Sequence, residues 1–131
     1  MSFSGDVGKF ARDAAEAHDK ITRAATLDFF SGTIKSTPVD TGRARGAWTT
    51  GVGEEPEASP ERLDPGGSAA TAEVVANTPQ GAGQEVFLIN DLPYIIELEN
   101  GHSQQAPAGM VRINLARVQR IVKAAIAKFK V

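Results

Sequence analysis

Apolar residues return every three or four positions from the start of the chain: Val7, Phe10, Ala14, Ala17, Ile21 and Ala24, with Leu27, Phe30 and Ile34 resuming the rhythm after a one-turn slip. That is the period of an amphipathic helix, and the spacing predicts one from about Asp6 to Lys35. Ser4 is placed to cap it, and Asp6 puts a negative charge in the first turn, where the helix dipole favours one. Thr37 precedes Pro38, a position that disfavours helical backbone angles, so the helix should stop near Ser36. Such a helix is roughly 45 Å long at about 1.5 Å per residue, longer than a domain of this size is wide. Its apolar stripe is thin and rich in alanine, which suits close approach to another helix or sheet. Part of it is expected to pack on another subunit.

Beyond Pro38 the pattern shortens. Thr41 to about Ala47 reads as a brief helical segment, and "WTTGV" as a strand. Residues Gly53 to Gly67 combine Pro56, Pro60 and Pro65 with several glutamates and two adjacent glycines, the composition of a flexible acidic loop. "TAEVVAN" and "EVFLIN" are strand candidates, with "TPQGAGQ" as a hairpin connection. In "LPYIIELENG", Pro93 marks the start and Gly101 the stop of one or two helical turns. A final helix from about Val111 to Lys128 carries Val111, Leu115, Val118, Val122, Ala125 and Phe129 at steps of four and three, with the basic residues mainly on its other faces. No internal repeat is present. The order of elements predicts an α+β domain with a long N-terminal helix, an antiparallel sheet of three to four strands, a long mobile loop and a C-terminal helix packed on the sheet.

The 131 residues suit one domain, residues 1–131. No cysteine is present, so there is no disulfide framework, thiol nucleophile or thiolate metal site, which fits a reducing compartment. The longest apolar runs, "VFLI" and "YII", are far too short for a membrane span, and no basic stretch leads into an apolar one at the N-terminus. A soluble cytoplasmic protein without membrane contact is expected. The net charge of −2 conceals an asymmetry. From Arg112 onward the chain holds Arg112, Arg117, Arg120, Lys123, Lys128 and Lys130 and no acid, whereas all sixteen acids lie before it. A basic end and an acidic body favour contact between opposite ends of neighbouring copies, or with charged partners.

Candidate chemistry is sparse. Asp40, Thr41 and Gly42 spell the tripeptide found around the catalytic aspartate of retroviral-type aspartic proteases. That chemistry needs two carboxylates about 3 Å apart sharing a proton, usually at the end of an apolar strand. Ser36, Thr37, Pro38 and Val39 do not form such a strand, and Arg43 would hold both carboxylates ionised. A dimeric aspartic hydrolase working through Asp40 is therefore the remote alternative. The simpler reading is that Asp40 or Thr41 accepts backbone N–H bonds at a helix start, with Gly42 allowing close backbone approach. His18 and His102 read as solvated, two histidines without cysteine give no recognisable zinc spacing, and "GAG" at Gly81 to Gly83 is a turn, not a dinucleotide fingerprint. No cofactor or metal is expected. The basic terminal helix admits a nucleic-acid-binding module as an alternative, against which stand the acidic body and the lack of any nucleic-acid-binding motif.

"PVDTGRARGAW", followed further on by "PYIIELENGHSQQAPAGMVR" and a closing helix, resembles the tail-completion or neck (head–tail joining) proteins of tailed bacteriophages, of the minor tail protein Z type. The matching positions are Pro38 to Arg43, Arg45, Trp48, Tyr94, Glu97, Leu98, Glu99, Gly101 and Ala106 to Arg112. Only the acidic loop is unmatched, and Glu99, Asn100 and Gly101 stand where the family commonly has Glu-Phe-Gly. The resemblance implies a structural virion protein, not an enzyme. It would form a homo-oligomeric ring, commonly hexameric, in the virion neck, assembled in the host cytoplasm. The implied partners are the head-completion or connector protein and the tail terminator or tail-tube protein, with genomic DNA passing through the lumen without sequence-specific binding. On this reading Arg43 and Arg45 are interface cations seeking Glu97 or Glu99 of a neighbour, and Trp48 and Tyr94 are core or interface anchors. A ring- or dimer-forming scaffold outside any virus remains the other structural alternative.

Overall fold

A computed structural model of the chain describes residues 3–81 and 83–128. Phe129 and Lys130 lie outside the described residues, as do the side chains of Val7, Phe10 and Lys128. The chain is α+β. Helix α1 spans Phe3–Ser36, α2 Arg43–Gly46, strand β1 Thr49–Val52, α3 Ser68–Asn77, β2 Val86–Ile89, α4 Ile95–Glu99 and α5 Val111–Lys128. The first helix ends where Pro38 dictates, and its 34 residues make it roughly 50 Å long at about 1.5 Å per residue. Ser4, expected as its cap, lies inside it. No described helix is long and apolar enough to cross a membrane.

"TAEVVAN" is not a strand but most of α3. Ala69, Ala70, Ala72 and Ala76 favour a helix, and the buried Asp64 carboxylate accepts the Ala70 N–H at 2.9 Å, satisfying one of the donors a helix start leaves open. Ala70 and Val74, one turn apart, face the core, while Glu73 and Asn77 reach β1, where they bind the Thr50 N–H (2.7 Å) and C=O (3.0 Å). Among the described residues the sheet therefore has two strands, antiparallel, with Thr49 opposite Ile89 and Val52 opposite Val86. "TPQGAGQ" joins a helix to a strand instead of closing a hairpin.

Helix α5, expected on the sheet, instead runs antiparallel along α1 and packs chiefly on that helix. Its seam is partly polar. The buried Asn114 donates to Ser36 Oγ (2.9 Å) and to the Met110 carbonyl (2.7 Å) and accepts from Arg117 (3.1 Å). Arg117 forms a two-pronged pair with Asp28, at 2.8 and 3.0 Å, and this bond holds its guanidinium pKa above the ordinary arginine value. Arg117 thus faces α1, although the periodicity places the cations mainly elsewhere. Gly32 permits the contact, since a Cβ there would collide with Asn114 Oδ1 and come within 2.6 Å of Arg117 Nη2.

The core lies around the C-terminal third of α1. Ile34, Trp48, Val74, Leu92, Ile95 and Met110 are buried there, with Leu27, Phe30 and Leu88 packed against them. The described side chains from Lys9 to His18 are exposed or half-exposed throughout. The start of α1 therefore extends past the body, and Ala14 and Ala17 of its stripe are only half-covered.

Candidate functional site

The segment from Thr37 to Trp48 turns the chain out of α1 and into β1, and its side chains do most of the holding. Thr37 is fully buried; its hydroxyl donates to the Thr33 carbonyl (2.8 Å) and accepts the Trp48 indole N–H (2.8 Å). Arg45 binds the Lys35 carbonyl (2.9 Å), the Thr37 carbonyl (2.8 Å) and the Pro65 carbonyl (2.8 Å). The first two belong to the end of α1, where open carbonyls and the helix dipole favour a cation. Arg45 is therefore engaged within its own chain.

Gly42 occupies the N-cap position of α2 with φ 89°, a left-handed conformation, and a Cβ there would sit 2.5 Å from Pro65 N. No side chain caps α2. Thr41 Oγ1 accepts the Arg43 N–H only at 3.3 Å, and Asp40 is exposed. Of the two expected acceptors it is Thr41, not Asp40, that meets the helix start, and Gly42 allows the close approach of Pro65.

Residues 53–67 form no helix or strand, as their composition suggests, but the second half is tied down. Arg62 donates to the Gly46 and Trp48 carbonyls, each at 2.6 Å, and pairs with Glu73 at 3.0 Å. Arg62, Asp64 and Glu73 link this loop, α3 and β1. Sequence reading missed all three, although an arginine and an aspartate two apart amid prolines were the available signal.

Around the other matched segment, Glu99 accepts the backbone N–H groups of Met110 (2.8 Å), Val111 (2.7 Å) and Arg112 (3.1 Å), and the Arg112 Nε at 3.0 Å. Arg112 also reaches the Glu99 carbonyl. Burial alone would push the Glu99 carboxyl up; the N–H groups of Val111, Met110 and Arg112 and the Arg112 side chain together hold it below the ordinary carboxylate value. Glu99 is thus the anion at the start of α5. Gly101 follows the end of α4, as expected.

Between the two segments lies a cleft of about 230 Å³ lined by Pro38, Val39, Asp40, Thr41, Arg43 and Tyr94, among others. The Gln105 amide bridges its rim, accepting the Val39 N–H (2.9 Å) and donating to the Val39 carbonyl (3.2 Å). Arg43 beside it binds the Pro60 carbonyl (2.8 Å) and the highly exposed Glu61 (3.1 Å). The structure thus brings Asp40, Thr41, Arg43 and Tyr94 together. It places Trp48 in the core, Arg45 and Glu99 in separate intrachain networks, and Glu97 on the surface. Of the proposed pairs between copies, Arg43 and Glu97 retain exposed charge, whereas Arg45 and Glu99 are satisfied internally.

Large apolar side chains are exposed at Leu63 in the acidic loop and Val75 on α3, at Tyr94 and Ile96 of the α4 segment, and at Ile113, Leu115, Ile121 and Ile126 on α5. His18 and His102 are exposed, and no group of three or more potential metal-ligating side chains occurs among the described residues. No known protein family, no curated protein and no solved structure matches the chain.

Proposed function

We propose that this chain is a structural protein of a tailed-bacteriophage neck, completing the tail and joining it to the head as part of a homo-oligomeric ring, commonly six subunits in the family it resembles. The observation that carries the reading is what the matched residues do. Gly42, Arg45 and Trp48, the last through its bond to Thr37, hold α1, α2 and the acidic loop together, and Glu99 with Arg112 fastens α4 to α5. The residues that carry the resemblance are thus engaged in holding the fold together, as expected of a structural role. The exposed apolar side chains of α4 and α5 and the projecting half of α1 supply surface for neighbours. In this role the partners are further copies, a head-completion protein and a tail-terminator or tail-tube protein.

Two of the cations on α5, Arg112 and Arg117, are paired with acids of the same chain, which weakens the phosphate-binding alternative. Antibody labelling of particles produced by the genome that encodes the chain tests the virion assignment. Label at the head–tail junction, with unjoined heads and tails when the gene is deleted, is the expected result. Particles that carry no label, or that join normally without the chain, would overturn it.

A further inference from the structure

Two surfaces of the chain are complementary and too far apart to meet within one copy. The first is the outer edge of α4, where Ile96 is 67% exposed, flanked by Tyr94 and by the exposed acids Asp91 and Glu97. From Glu85 to Asn100 the sequence contains no lysine or arginine. The second is the distal half of α5. There Ile126 is 57% exposed, one turn from the half-buried Val122 and three residues from the exposed Lys123, with Arg120 nearby. Neither Lys123 nor Arg120 forms an ion pair with any described residue, and neither do Asp91 and Glu97; the other described acid and cation at the junction of these helices, Glu99 and Arg112, neutralise each other.

Beside Val122, between α1 and α5, is a hollow of about 160 Å³ lined by Ile21, Ala24, Ala25, Ile121 and Ala125, with Asp28 the one charged residue in its lining. It exists because small alanines face each other across the seam. A cavity of about 150 Å³ takes a benzene-sized group, so one isoleucine side chain can enter this one. Glu99 fixes α4 at the first turn of α5 at Val111, whereas the hollow's Ile121, Val122 and Ala125 lie ten to fourteen residues further along, roughly 15–21 Å, and Ile126 fifteen, roughly 22 Å, at about 1.5 Å per residue. Ile96 therefore cannot reach the hollow of its own chain.

We infer that a second copy is the occupant: the Ile96 and Glu97 edge of α4 in one copy docks on the distal half of α5 in the next, Ile96 against Val122 and Ile126 and Glu97 beside Lys123. This rests on the homo-oligomeric reading above and names its surfaces. Because the two patches differ, each copy presents one to each of two neighbours. Such a head-to-tail contact repeats, giving a ring when the rotation closes. Opposite charge at the rim steers the encounter and selects the register, while the aliphatic contact supplies the burial.

The chain has no cysteine, which makes the test direct. Ile96→Cys and Ile126→Cys are made singly and together; both positions are exposed, so folding is preserved. Under mild oxidation the double variant is expected to give a ladder of covalent multimers. The two single variants mixed should give one covalent dimer, and each alone should stay uncrosslinked. Glu97→Lys and Lys123→Glu should each lower crosslinking at least several-fold, and their combination should restore it. A single variant that crosslinks to itself as fast as the mixture would overturn the head-to-tail contact. Assembly without crosslinking at these positions would overturn the surfaces while leaving the ring standing. A protein that never assembles would overturn both.

Discussion

The hydroxyl of Thr37 and the indole N–H of Trp48 are hydrogen-bonded to each other at 2.8 Å, and both residues are buried. This bond joins the residue just beyond α1 to the residue that leads into β1. Thr37→Val keeps the shape but leaves the indole N–H without a partner, at a cost of about 1–3 kcal/mol. Trp48 is the one tryptophan, so its fluorescence during urea unfolding reads the effect where it arises. An unchanged midpoint would show that the bond does not hold this corner.

Arg45 and Arg43 stand two residues apart and should differ in consequence. Arg45→Lys loses the planar fork that binds the Lys35, Thr37 and Pro65 carbonyls and should cost about 1–3 kcal/mol. For a chain of this length that corresponds to roughly 3–10 °C in melting midpoint. Arg43→Lys alters a pair with an acid whose side chain is 87% exposed and should move the midpoint by little. Calorimetry of the two variants side by side checks the ordering.

Glu99 makes stability depend on pH in a stated direction. Its carboxyl is held below the ordinary value when folded, so on acidification the unfolded chain takes up the proton first, and protonation favours unfolding. The contribution is fully present above the ordinary carboxylate range and fades as pH falls through the lowered folded-state value. Glu99→Gln should therefore be less stable than the parent by about 0.5–2 kcal/mol at neutral pH, the gap narrowing in acid. Urea midpoints measured from pH 7 down to pH 3 follow it, and a gap that does not change with pH would contradict the assignment.

Gly32→Ala sets two effects against each other. Alanine favours a helix over glycine by about 1 kcal/mol, yet its Cβ would collide with Asn114 in the α1–α5 seam. Overpacking of a fixed contact typically costs about 1–3 kcal/mol, so the net change should be destabilising. A higher melting midpoint for this variant would mean that the helices part without penalty.

Much of the framework was legible because helix periodicity and proline and glycine punctuation are local signals. The end of α1 at Pro38, the extent of α5 from Val111 to Lys128, and the α4 stop before Gly101 follow from such signals. The "TAEVVAN" segment was misread because its two adjacent valines suit a strand, while what decides for a helix is the Asp64 carboxylate four residues before Ser68. The direction of α5 was illegible for the same kind of reason. Its links to α1 include the Asp28–Arg117 pair across 89 positions and the Asn114–Ser36 bond across 78, which no local pattern announces. At the candidate site, residue types identified Arg45 and Glu99 as charges needing partners, but their partners are backbone groups of distant segments, and those appear only in three dimensions.

The claim that holds the account together is that this chain works as an assembly of copies. The mass of the purified protein in solution, by light scattering across concentration and salt with negative-stain images of the large species, tests it most directly. Closed rings of about six subunits that loosen as salt screens the acidic and basic surfaces are the expected result. A monomer at every concentration and salt, with no rings in the images, would contradict it.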